Sequence, residues 1–150
     1  MHKITPFLWY NGQVEEAMTL YTSVFRNSKV LSTLPGPGGS LMSATLEIEG
    51  QQLIIFNGGP AHKLSPAASL FVNCETQDEV DRLWAKLSEG GAESRCGWLE
   101  DRFGLSWQII PSILPELLQD PDRAKAGRAM QAMLGMAKID IAALRKAAVG

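Results

Sequence analysis

Asp101-Arg102-Phe103-Gly104-Leu105-Ser106-Trp107-Gln108-Ile109-Ile110-Pro111 reads as a turn that feeds a strand and is stopped by a proline. Asp101 suits the turn because its carboxylate can bond backbone amides a few residues further on, and Gly104 can take a positive φ. The residues that follow are apolar and rich in branched or aromatic side chains, as strands are. Successive side chains on a strand point to opposite faces, so Trp107 and Gln108 must part company. We expect Trp107 to pack against a helix and Gln108 to face the other way.

Upstream of this strand the chain carries a strand, a helix and two further short strands. Residues 68–74 read as a strand. Thr76-Gln77-Asp78-Glu79 is a capping box, in which the threonine and the glutamate satisfy free amides at a helix start. Val80, Leu83, Trp84 and Leu87 then fall on one helical stripe, and Gly90-Gly91 ends it. Short strands are expected near residues 93–95, 97–101 and 105–110.

The first third of the chain repeats that order. Residues 4–10 are apolar, aromatic and β-branched, and Asn11-Gly12 breaks them. Val14, Ala17, Met18, Tyr21 and Phe25 recur at helical spacing, with Arg26-Asn27 expected to close the helix through a cation and an αL-tolerant residue. Strands are predicted at 29–34, 41–48 and 51–56, the last two joined by a hairpin at Glu49-Gly50. Pro35-Gly36-Pro37-Gly38-Gly39-Ser40 is glycine-rich like a phosphate cradle, but no helix follows to present its amides, so a hairpin loop is the better reading. Strand, helix and three strands thus occur twice, at about 4–57 and 67–111, with residues 57–66 as the connection. The fold class predicted is α+β: two βαβββ modules in a single domain, helices covering one face of each sheet and the other faces joining into a cup fit for a ligand.

Residues 112–150 stand outside the repeat. Ile113, Leu114, Leu117 and Leu118 predict a short apolar helix, and Asp120-Pro121 an N-cap with proline at the first helical position. A helix through Ala129, Met130, Met133 and Leu134 ends near Gly135, and Asp140 caps a last helix carrying Ile141, Leu144 and Ala148. So many apolar side chains on a short extension point to a homodimer held partly by these helices. The rival is an intrachain clasp in which the tail folds back over its own modules.

Composition narrows the function classes. With 150 residues, 45% of them hydrophobic, the chain can bury a real core. Its net charge of −2 is spread out, with no basic block for nucleic acid or an anionic membrane. Apolar runs are far shorter than a membrane span, and Met1-His2-Lys3-Ile4 has no apolar signal core, so a cytoplasmic location is expected. Cys74 and Cys96 are not spaced as a metal pair; two buried thiols are favoured over a disulfide.

Several segments together resemble the PhnB-like branch of the glyoxalase/bleomycin-resistance/dioxygenase (vicinal oxygen chelate) superfamily. They are Ile4-Thr5-Pro6-Phe7-Leu8-Trp9-Tyr10-Asn11-Gly12, Glu16-Ala17 with Tyr21 and Val24-Phe25, and the stretch from Asp101 to Pro111. The tail segment Ala129-Met130-Gln131-Ala132-Met133-Leu134, with Met136, Lys138-Ile139-Asp140-Ile141 and Leu144, adds to the likeness. The resemblance implies paired βαβββ modules, frequent dimers and a pocket inside the cup. It also implies where metal-using relatives keep their ligands: at or next to Pro6, near Ser69, near Phe56 or Asn57, and at Gln108. None of these is a strong ligand, since proline has no donor atom and a neutral amide lacks the charge of a carboxylate. A catalytic metal site generally uses three strong protein ligands, so no cofactor is predicted and a divalent metal is disfavoured.

Two functions follow. The first is a non-metal small-molecule binder of the bleomycin-resistance kind. Trp9, Tyr10, Phe56, Phe103 and Trp107 are then candidates to line the cup, with Asn57, Ser69 and Gln108 orienting a ligand. The site set retained is Tyr10, Phe56, Asn57, Ser69, Phe103 and Gln108. The second is an enzyme, either a metal-dependent lyase, isomerase or dioxygenase with an altered ligand set, or one using His62, Glu100 and Asp101 for acid–base work. Asp101 is better read as a turn stabiliser and Glu100 as solvated. Members of this branch are often labelled demethylubiquinone methyltransferase-like, yet no glycine-rich strand-to-helix turn for S-adenosylmethionine is present, so methyl transfer is not expected.

Overall fold

A computed structural model describes residues 2–150; Met1, the first residue of the N-terminal stretch discussed above, lies outside them. The chain divides into two compact units, residues 1–65 and 66–150.

In the first unit, β1 (Phe7–Tyr10), α1 (Val14–Val24), β2 (Ser28–Pro35), β3 (Leu41–Ile48) and β4 (Gln51–Asn57) follow in order. The sheet runs β1-β4-β3-β2, with β1 parallel to β4 and the other pairs antiparallel. Val14, Ala17, Tyr21 and Val24 form the buried stripe of α1 and meet Ala44, Leu46, Ile48, Leu53 and Ile55, the alternate residues of β3 and β4. The hairpin at Glu49-Gly50 has positive φ at both residues (48° and 83°), the geometry of a tight two-residue turn. Two expectations shift. β1 begins three residues later than predicted. Arg26-Asn27 does not close α1 in the left-handed region; the chain leaves the helix extended at Phe25, and the Ser28 hydroxyl donates to the carbonyls of Phe25 and Thr22.

The second unit repeats the plan with β5 (Ser69–Cys74), α2 (Gln77–Ser88), β6 (Ala92–Glu93), β7 (Trp98–Glu100) and β8 (Ser106–Pro111). Its sheet runs β5-β8-β7-β6, again with the first and last strands parallel. Thr76 caps α2 by accepting from the Glu79 amide, while Glu79 returns a bond to the Glu75 amide, one residue before the cap. Val80, Leu83, Trp84 and Leu87 are buried, as their spacing predicts.

The tail forms α3 (Ile113–Leu118), α4 (Arg123–Leu134) and α5 (Ile141–Val149). Asp140 caps α5 as expected. α4 starts later than predicted: Asp122 is its N-cap, accepting from Ala124 and Lys125, and Asp120 accepts from the Asp122 amide instead. The tail folds onto its own second unit. Ile110, at the end of β8, joins Leu114, Ile139 and Leu144 in one core cluster, flanked by Leu117, Leu118, Met133 and Met136. Backbone bonds fix it there, from the Cys96 amide to Met136 O and from the Gly97 amide to Ala137 O, both 2.8 Å. Much of the apolar surface that argued for a dimer is therefore spent within the chain, with Val149 (79% exposed), Leu134 (48% exposed) and Met130 the main remainder.

Candidate functional site

The second sheet has one face covered by α2 and one open face, and the alternation along β8 sorts the residues between them. Trp107 is on the covered side, 1% exposed, and its indole Nε1 donates to Asp101 Oδ2 at 2.9 Å. Asp101 Oδ1 accepts from the amides of Phe103 and Leu105 at 2.9 and 3.0 Å. This buried carboxylate holds the turn and its tryptophan together, as the turn chemistry predicts. Glu100 is exposed on β7.

Gln108 faces the open side, where its Nε2 donates to the hydroxyl of Ser69 at 3.0 Å. Beside it lies a concavity of about 430 Å³. Phe71, Trp98, Gln108 and Ile110 of the sheet make its floor, with Cys96 just before β7. Leu114, Pro115 and Leu118 of α3 and Met133 of α4 make its wall. Gln119, at the end of α3, lines it too; a pocket of this size, mostly apolar with a few polar groups, is the usual form of a small-molecule site. A larger depression, about 820 Å³, lies over α4 and α5 near Arg123, Gly127, Arg128 and Gln131. It is broad and open. Arg128 is already engaged, donating to the carbonyls of Ala147 and Ala148 near the end of α5. We therefore place the candidate site on the second sheet.

Phe103, expected to line a ligand site, is 9% exposed and counts among the buried core, with the Arg102 guanidinium 5.0 Å from its ring centre. Its position in the turn buries the ring.

The first sheet carries the remaining candidates. Tyr10 departs from expectation: it is buried on the helix side, its hydroxyl 3.0 Å from that of Tyr21. The pairing of Tyr10 with Asn57 and of Trp9 with Phe56 across β1 and β4 explains why. Tyr10 and Asn57 share the helix side, Trp9 and Phe56 the open side. Asn57 is also spent structurally. Its Oδ1 accepts from the Val14 amide at 3.1 Å and its Nδ2 donates to Leu41 O at 2.9 Å. Since Gln13 offers α1 no side-chain cap, Asn57 supplies that function from another strand.

Phe56 belongs to an aromatic cluster on the open face. Its ring centre lies 5.2 Å from that of Phe7 and 5.3 Å from that of Trp9, and Trp9 meets His62 edge-on at 4.9 Å. Trp9 is anchored by a 2.9 Å bond from Nε1 to Gly59 O. It lies so close over Gly58 that a Cβ there would stand 2.1 Å from the ring. His62 is exposed.

Among the described residues, no group of three or more His, Cys, Asp or Glu side chains is placed to hold a metal ion. Both cysteines are free thiols, Cys74 buried and Cys96 only half-buried, so the expectation of two buried thiols holds for one. Burial, with Glu79 beside it, pushes the Cys74 thiol up to about 12. The site residues that sequence reasoning did not single out are Phe71, Trp98, Cys96 and the wall from the tail. Phe71 was legible as the residue two before Asn73 on a strand with an open face. The wall was not, because it depends on where the tail returns.

The family model described as 3-demethylubiquinone-9 3-methyltransferase matches residues 2–110. The match stops before α3, so the tail's likeness to that family is not part of it. A PhnB protein from Bacillus cereus is 33% identical over 74% of this chain and 100% of its own, with a TM-score of 0.70. A Pseudomonas aeruginosa protein is 24% identical over 74% of this chain and 98% of its own, with a TM-score of 0.63. The fosfomycin resistance protein FosX from Listeria monocytogenes, complexed with Mn(II) and sulfate, shares the fold at 13% identity and a TM-score of 0.53, over 71% of this chain and 90% of its own. No curated protein matches the chain.

Proposed function

The chain belongs to the family described as 3-demethylubiquinone-9 3-methyltransferase, in the PhnB-like branch of the glyoxalase superfamily, and from that membership we propose that it binds a small molecule on the open face of its second sheet, without the metal that metal-using relatives hold. The observation that carries this reading is the concavity of about 430 Å³ in which Gln108 converges with Phe71 and Trp98.

The donor set argues against the metal. At the positions implied by the resemblance stand Pro6, Ser69 and Gln108, a residue without a donor atom and two neutral groups. Gln108 and Ser69 are bonded to each other. Hard divalent cations favour charged oxygen ligands, so these residues do not fit one. Calorimetric titration with Mn²⁺, Zn²⁺ and Mg²⁺ tests the point. We expect no stoichiometric uptake; one tightly bound cation per chain would overturn it and favour a metal-dependent enzyme with an altered ligand set.

Methyl transfer is not part of the proposal. The turn from β1 to α1 holds a lone glycine, Gly12, and the turn from β5 to α2 holds none. Pro35–Ser40 joins two antiparallel strands. An isotopic transfer assay with quinone acceptors should stay at background.

A homodimer and a cytoplasmic location complete the proposal. Exposed Val30, Leu31 and Leu34 on the edge strand β2 support the first. For location, no described helix is long and apolar enough to cross a membrane. Light scattering should give about twice the chain mass of 16.3 kDa; a single-chain mass down to low micromolar concentration would eliminate the dimer.

A further inference from the structure

We infer that the pocket on the second sheet selects a neutral, largely apolar ligand, and that the C-terminal helices share in setting that selection. This rests on the small-molecule reading above and adds to it the ligand class and the elements that determine it.

No Asp, Glu, Lys, Arg or His lines the cavity. Its floor is aromatic and aliphatic, and its wall is Leu114, Leu118 and Met133. Methionine beside aromatic rings adapts to flat apolar ligands. The polar group at the floor is the Gln108 amide. Its nitrogen donates to Ser69, and its carbonyl oxygen accepts no hydrogen bond among the described residues. That oxygen is suited to receive one hydroxyl or N–H from a ligand. An anionic group entering here would shed its water and meet no cation in return, which disfavours a phosphonate, sulfonate or carboxylate. The volume, about 430 Å³, falls within the roughly 300–1,000 Å³ usual for small-molecule sites.

The wall belongs to this chain's tail. The family match ends at residue 110, and the wall begins at Leu114. The tail is held against the sheet by the bonds from Cys96 and Gly97 and by Gln77, which donates to Ile139 O and accepts from the Ile141 amide. The apolar wall is thus a fixed part of the pocket, and residues outside the segment that matches the family share with the floor in setting the ligand class.

A matched pair of fluorescent probes tests this on the intact chain. N-phenylnaphthylamine is neutral, and anilinonaphthalene sulfonate is the same skeleton with one negative charge. We expect the neutral probe to bind one per chain and at least about tenfold more tightly than the sulfonate. Gln119, exposed at the end of α3 and lining the pocket, tolerates a charge, so Gln119→Lys should fold normally and narrow that preference several-fold. Leu118→Asp should weaken the neutral probe, with circular dichroism reporting whether the fold is kept. Equal or tighter sulfonate binding in the natural chain, sensitive to Gln119→Lys, would overturn the ligand class while leaving the small-molecule reading intact. A preference unchanged by Gln119→Lys, together with neutral binding unchanged in a folded Leu118→Asp, would overturn the role of the tail. If neither probe binds stoichiometrically, the small-molecule reading and this inference fall together.

Discussion

The side-chain nitrogen of Gln108 stands 3.0 Å from the hydroxyl oxygen of Ser69, joining β8 to β5 across their parallel pairing. Metal-using relatives are implied to place ligands at these two positions. Here the two side chains satisfy each other, and the pair holds an amide at the floor of an apolar pocket.

A single carboxylate should not restore a metal site. In Gln108→Glu, the new charge would have Ser69 beside it and no second anionic ligand among the positions implied by the resemblance, where Pro6 contributes nothing. We expect calorimetry to find at most weak, millimolar-range binding of Mn²⁺ or Zn²⁺, the affinity range of sites with few charged ligands. A micromolar site in this variant would show that other donors converge there.

Asp101 is the polar residue on which the second sheet's closing turn depends. It is buried and accepts from two amides and one indole N–H. Asp101→Asn keeps the shape but sets an NH₂ where an acceptor is needed. We expect a loss of about 2–4 kcal/mol in urea unfolding, from a buried donor left facing a donor and from lost charge-assisted bonds. A loss under 1 kcal/mol, about the worth of an ordinary exposed bond, would contradict the structural role.

The tail should loosen without Gln77. Its carboxamide bridges Asp81 and Ile139 O and accepts from the Ile141 amide. Gln77→Ala should cost about 1–2 kcal/mol and speed hydrogen exchange at the Ile141 amide more than at the α2 amides. The same corner carries a pH dependence. Bonds from Lys138 first, and from Gln77, hold the Asp81 carboxyl below its ordinary 3.8. A carboxylate lowered in the folded state stabilises above pH 3.8, and that contribution is lost as pH falls through the lower folded value. Both partners are close to half exposed, so the effect is small and fades with salt. Lys138→Met should flatten stability against pH in this range.

The two thiols should behave differently. Cys74 is fully buried and keeps its proton to about pH 12, whereas Cys96 is partly exposed at the pocket. Iodoacetamide at pH 8 should label one cysteine per native chain, Cys96, and the second only after unfolding. The raised Cys74 value also means its stabilising contribution is full below pH 9.0 and lost as pH rises towards 12. Labelling of Cys74 in the native chain would place it outside the core.

How far the sequence could be read follows from the range of each interaction. The two modules were legible because helical and alternating patterns are local, and the turn at Asp101 because its partners lie within six residues. Trp107 and Gln108 were sorted correctly by alternation alone. Tyr10 was misplaced because Phe7-Leu8-Trp9-Tyr10 is apolar throughout and hides which residues face the helix. Asn57 was misread for another reason: the helix start it caps is Val14, 43 residues away. Distance also concealed the pocket wall. Nothing local to Leu118 or Met133 says that they line one cavity with Trp98, or that the tail packs against Ile110 at the end of β8.

The most direct test is a crystal of the intact chain soaked in mixtures of small metabolites, inspected at the open face of β8. The account predicts density for one molecule stacked near Phe71 and Trp98 beneath α3, with a polar atom in hydrogen-bond reach of Gln108 and no metal peak beside it. A ligand bound elsewhere while this pocket stays empty, or a metal ion coordinated at Gln108, would contradict it.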